Sequence, residues 1–183
     1  MAVLKRLLVT VAVLLAGAAA VPPHSWSAFR ATPTPTPRAL RAYLPRMKVE
    51  IRRYRTAIER GQTAFDGRLS PSSKLTRLRA SRAEFRTIAR RIDAVREPVG
   101  LKKAHASLVS AVRLVVTAFG NFITAAEEYA RDPKPGPLLD RNTRANSQLK
   151  RAEGLQDRWA NTLRASTKRA KIPIPVWLKE FRS

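Results

Sequence analysis

Along most of this chain the apolar residues return at intervals of three and four. Leu40, Leu44, Met47, Ile51, Tyr54, Ile58, Gly61 and Phe65 follow one another at +4, +3, +4, +3, +4, +3 and +4. That spacing draws one stripe down an α-helix and fits no strand. It predicts a first helix running to about Asp66. Pro45 puts the start of its regular part near that residue, with 38–44 as a lead-in turn or a kinked extension.

Three more stripes follow. Ser70 and Pro71 supply an N-cap and a proline suited to the first helical position. Behind them Leu78, Phe85, Ile88, Ile92 and Val95 share a face, with Leu75 nearby, until Pro98 and Gly100 end the pattern. The third helix is the most apolar. Its stripe is Leu101, His105, Leu108, Val112, Val115, Phe119, Phe122, Ala126 and Tyr129, widened by Val109, Val116 and Ile123. A face that wide belongs to the most buried member of a bundle. The run Asp132-Pro133-Lys134-Pro135-Gly136-Pro137 breaks the chain. The fourth helix is predicted over about 138–170, with Leu149, Ala152, Gln156, Trp159, Leu163 and Ala170 inside.

Four amphipathic helices joined by short breaks predict an all-α, antiparallel up-down-up-down four-helix bundle over 38–170. The near-3.5 repeat predicts left-handed packing. Residues 171–183 form a separate tail, in which Ile172-Pro173-Ile174-Pro175 is extended and Val176, Trp177, Leu178 and Phe181 make one amphipathic turn. This turn is expected to pack over an open end of the bundle. The alternative is an interfacial membrane contact.

Residues 1–20 have the pattern of a secretory signal. Lys5 and Arg6 precede an apolar run from Leu7, and Ala18-Ala19-Ala20 offers a cleavage site that would leave Val21 first. The run from Leu7 to Val21 is short of the ~20 residues a spanning helix wants. Export with cleavage is the expectation, and an uncleaved anchor through residues 7–21 the alternative. Residues 21–37 read as a spacer, because Thr32-Pro33-Thr34-Pro35-Thr36-Pro37 cannot be helical and should extend as polyproline II.

Charge is the one pointer to function. There are 36 basic and 13 acidic residues, a net +23, and the basic ones fall in rows. Arg79, Arg82, Arg86 and Arg90 line one side of the second helix. Arg41, Lys48, Arg52 and Arg55 do so on the first, and Arg144, Arg151 and Arg158 repeat every seven residues on the fourth. Like charges at i,i+4 cost a helix ~0.2–0.5 kcal/mol per pair. Few acids are placed to offset this, although Arg46 and Arg55 can reach Glu50 and Glu59. Solvated faces are the commonest reading of such rows; the near-absence of compensating acids supports the other, an anionic partner: an anionic membrane surface, an acidic cell-wall polymer, or nucleic acid. The aromatics lie on the inner stripes, away from these rows, which argues for charge-only contact.

Chemistry is poorly represented. There is no cysteine, so disulfides, thiolate metal sites, thiol catalysis and a lipobox are excluded. No HExxH, GxSxG, GxGxxG or Walker sequence occurs, and neither an enzyme nor a cofactor is expected. His24 lies in the spacer. His105 lies on the inner face near the start of the third helix, where the helix terminus disfavours an imidazolium. A neutral, hydrogen-bonded core histidine is the expectation. A ligand- or cofactor-sensing site at His105, with Met47 as the partner at a shared end of the bundle, is the alternative.

The run Pro98-Val99-Gly100-Leu101-Lys102-Lys103-Ala104-His105-Ala106-Ser107-Leu108 is similar to one that opens an Ala-rich helix in uncharacterised exported bacterial helical proteins. That resemblance implies a leader, a low-complexity spacer and then a bundle, and it implies no activity. The lipobox cysteine of many such proteins is missing here. Physically, Pro98 starts the helix, and Leu101, His105 and Leu108 share one face.

Overall fold

Thr36 opens the first helix. Its side chain accepts the Ala39 amide at 3.2 Å, and Pro37 occupies the first turn, where a missing N–H is no loss. The computed structural model describes residues 33–181. The expected signal segment, most of the spacer and His24 lie outside this range. Helix α1 (Pro37–Gln62) continues into a 3-10 turn at Thr63–Phe65, and then come α2 (Pro71–Asp93), α3 (Lys102–Arg131), α4 (Pro135–Arg169) and a single turn, α5 (Val176–Lys179).

Three boundaries depart from the sequence expectation, each near a proline. Helix α3 begins at Lys102 with Leu101 as its N-cap, after a turn that holds Pro98, rather than at Pro98 itself. Helix α1 runs unbroken through Pro45. An interior proline costs about 3 kcal/mol, but Leu40, Tyr43 and Leu44, all on its N-terminal side, are 6% exposed or less. Burying side chains of that size is worth ~1.5–3 kcal/mol each, enough to hold both segments in one helix. Helix α4 begins at Pro135, not near 138. Pro135 and Pro137 both fall in its first turn, whose amides have no partner inside the helix. Ser70 caps α2 as expected, accepting the Ser73 amide at 3.2 Å.

Side-chain pairs fix the antiparallel order. Arg77 at the start of α2 reaches Thr63 beyond the end of α1 at 3.0 Å. Arg79 meets Glu127 near the end of α3 at 2.6 Å, and Arg113 meets Asp93 at the end of α2 at 2.9 Å. Asn121 of α3 donates to Gln148 of α4 at 2.9 Å. Arg141 holds Glu128 with two bonds of 2.5 and 2.6 Å. Helix α4 returns to α1, where Gln156 donates to the Tyr54 hydroxyl at 2.8 Å. The four helices form an up-down-up-down bundle.

Helix α3 supplies the largest share of the core, from His105 to Ala125. By length and hydropathy it also qualifies as a membrane span, but its buried face is covered by the other helices. Phe85, Phe119, Phe122 and Phe65 form a chain of tilted and edge-on rings with centroids 5.1–6.3 Å apart, a favourable range. Gly61 allows this approach, since a Cβ there would stand 2.8 Å from Phe119 Cζ.

The end of the spacer belongs to the fold. Residues 33–36 are extended, as expected, but Pro35 is buried. Gly100 in the α2–α3 turn has φ +89°, and a Cβ there would lie 1.8 Å from the Pro33 carbonyl oxygen. Only glycine satisfies both the dihedral and the contact.

The tail turns back at the end of α4 through Lys171, which has φ +53°. The Ile172 amide donates to Thr167 O at 3.0 Å and the Lys171 amide to Lys168 O at 3.1 Å, a Schellman ending with lysine in the usual glycine position. Leu178 and Phe181 are then buried. Trp177 stacks on Trp159 with centroids 6.4 Å apart, and Phe181 meets the same ring edge-on at 5.5 Å. The tail thus packs over the seam between α1 and α4.

Candidate anion-binding surface

Helical spacing delivers the arginine rows to the surface, and neighbouring elements then decide which remain available. On α4, Arg144, Arg151 and Arg158 are exposed. Arg158 donates only to the Gly154 carbonyl of its own helix, at 3.2 Å. None of the three has an acidic partner within ion-pair distance among the described residues. On α1, Arg41, Lys48 and Arg52 are likewise exposed and unpaired within the described residues.

Arg55 departs from this pattern. Its guanidinium lies 5.5 Å from the centroid of the Phe181 ring and donates to the Glu180 carbonyl at 3.3 Å. It clamps the tail, as does Arg164 of α4, which donates to the Leu178 carbonyl at 3.1 and 2.9 Å and also to the Phe181 carbonyl. The expected partners of α1 also change. Glu50 takes Arg53, one turn on, rather than Arg46. Arg55 turns to the tail rather than to Glu59.

The row on α2 divides. Arg86 and Arg90 are exposed. Arg79 is paired with Glu127, and so it is not a free cation. Arg82 is half-buried, with its guanidinium against Gly120 of α3 and its Nε buried without a hydrogen-bond partner. The α2 row is thus partly a joint between α2 and α3. Six ion pairs occur among the described residues.

His105 is placed against Tyr43. Trp159 Nε1–H donates to the Tyr43 hydroxyl at 3.3 Å, and that hydroxyl lies 2.9 Å from His105 Nδ1. The imidazole tautomer sets which of the two donates in this bond, and His105 Nε2 is buried with no hydrogen-bond partner among the described residues. The network ties α1, α3 and α4 together beneath Trp177 and Phe181, which both pack on Trp159. Burial lowers the His105 pKa, against the pull of the Glu97 carboxylate, the Ile92 carbonyl and Asp93, and so the neutral ring is favoured. Burial also raises the Tyr43 hydroxyl well above its usual value, with the Trp159 bond opposing. Met47 is fully buried in the apolar core. Tyr43 itself carried no signal in the sequence beyond its place beside Leu44.

A second mixed-charge groove lies at the α3–α4 turn. Glu128, Asp132 and Asp140 alternate there with Arg131, Lys134 and Arg144. Arg141 holds the Glu128 carboxyl below its ordinary pKa. The balance of signs makes this groove a weak anion site; Arg144 belongs both to it and to the α4 row, whereas Arg151 and Arg158 lie outside it. No group of three or more His, Asp or Glu side chains able to hold a metal occurs among the described residues.

Compared with known protein families, curated proteins and solved structures, the chain matches none.

Proposed function

We propose that the protein is a non-enzymatic, exported binding protein that presents arginine rows on its helices to an anionic surface or polymer. The observation that carries this reading is the outer face of α4, where Arg144, Arg151 and Arg158 stand exposed with no acidic partner among the described residues. Arg41, Lys48 and Arg52 on α1, and Arg86 and Arg90 on α2, extend the same character to other faces. Each cation near an anionic surface contributes ~1 kcal/mol at physiological salt, so several act together. Residues 1–20, with their basic start, apolar run and Ala18-Ala19-Ala20, support export.

The purified protein is expected to bind heparin at low salt and to elute steeply as salt rises. Replacing Arg144, Arg151 and Arg158 with Glu should lower the eluting salt concentration while leaving thermal stability nearly unchanged, since surface substitutions fall within about ±0.5 kcal/mol. No retention of the native protein at low salt would reject the reading. Mass spectrometry of the secreted form tests the export component, with Val21 as the expected first residue.

A further inference from the structure

Seven consecutive apolar residues, from Ile172 to Leu178, make up most of the tail, with Lys171 before them and Lys179 after. Only Leu178 among the seven is buried. Val176 is 65% exposed and Trp177 is half-buried. The tail does not stand alone. Val176, Trp177 and Glu180 share one groove with Pro45 and Lys48 of α1. On the outward side of α1, Val49 is 48% exposed, and Arg41 and Arg52 are exposed within two turns of Lys48. An apolar strip with a tryptophan at its edge and cations around it is what a headgroup layer accepts, because the rings and aliphatic groups enter the acyl boundary while the cations meet phosphates. Glu180 is the one acid lining the groove.

We propose that this face, formed by the tail and the adjoining side of α1, docks on the surface of a bilayer rich in anionic phospholipid. Val176 and Val49 enter the headgroup layer, Trp177 lies at its edge, and Lys48, Arg52 and Lys179 meet lipid phosphates. The inference rests on the anion-binding reading and narrows it to one partner. A soluble polyanion would use the arginines but gain nothing from exposed valines.

The test uses the full chain, heparin, and two sets of vesicles, one of phosphatidylcholine alone and one with phosphatidylglycerol added. The variant carries Val176→Ser and Val49→Ser. Both positions are exposed, so the fold is retained, and a melting curve verifies this. Residues 1–31 are identical in both proteins, so any binding they contribute cancels in the comparison. The expected result is salt-sensitive binding to phosphatidylglycerol vesicles that is about tenfold weaker in the variant, roughly the worth of one well-buried apolar side chain, with unchanged elution from heparin. Equal vesicle binding by both proteins overturns the docking face. So does equal binding to both vesicle types. Heparin retention without vesicle binding also overturns it and leaves a soluble polyanion as the partner. Failure on heparin and vesicles alike removes the anion-binding reading itself.

Discussion

Tyr43 accepts from Trp159 and shares a hydrogen bond with His105 Nδ1 inside the bundle. Replacing it with Phe leaves a buried indole N–H and a buried imidazole nitrogen without partners, each costing about 1–3 kcal/mol. Tyr43→Phe should therefore destabilise by about 2–6 kcal/mol, read as a lower urea midpoint with the slope unchanged. His105 adds a pH dependence. Burial lowers its folded pKa below 6.5, the unfolded value. Stability from this site is thus full above that pH and is lost as pH falls through the lower folded pKa. His105→Gln keeps a hydrogen-bond partner for the tyrosine but does not titrate. Its stability should be flatter between pH 7 and 5 than that of the native protein, as followed by thermal melts at several pH values. His105 and Met47 were legible as inner-face residues because periodicity reports burial. Their partners were not. Periodicity does not mark Tyr43 as the neighbour of His105; the reach of the tyrosine hydroxyl does.

Caps and breaks show the same division among the elements. Ser70-Pro71 was legible because a cap is local chemistry. At Pro45 the choice between an entry turn and a helical extension stayed open, and the start at Pro135 was missed, because a proline reports only a local cost, while the burial that offsets it or the first-turn position that cancels it depends on neighbours. The tail was legible as an amphipathic turn that packs on the bundle, but its place along α1 and α4, rather than over an open end, was not, because Arg55 and Arg164 hold carbonyl oxygens that no sequence pattern marks. Leu178 is fully buried. Leu178→Ala should cost about 2–5 kcal/mol, the range for emptying a core leucine site, and should expose Trp159 to solvent, seen as a red-shifted emission. A variant with native emission and native stability would show that the tail is not part of the core.

At the scale of the whole molecule, a net +23 means that folding gathers like charges. Self-repulsion opposes the compact state, and salt screens it over a Debye length of ~10 Å at 0.1 M. The melting temperature should therefore rise with sodium chloride from 10 to 300 mM, the reverse of the effect on heparin binding. A flat or falling curve in a scanning calorimeter would mean that the ion pairs already balance the field. The fold class was legible because four stripes repeat one message. For the candidate site only the sign of charge was legible. Which arginines stay free depends on cross-helix partners, and this removed Arg79 and Arg55 from the set.

The packing of Pro33 and Pro35 beside Gly100 also has a mechanical side. A pull on the chain from ahead of residue 33 is first felt at the α2–α3 turn and only afterwards at α1. Pro33 and Pro35 have no amide to donate, and no hydrogen bond joins residues 33–35 to the α2–α3 turn among the described residues, so this contact is held by packing. Under tension it should let go before the Thr36 cap. Three extended residues at ~3.1 Å each then supply slack before any helix carries load.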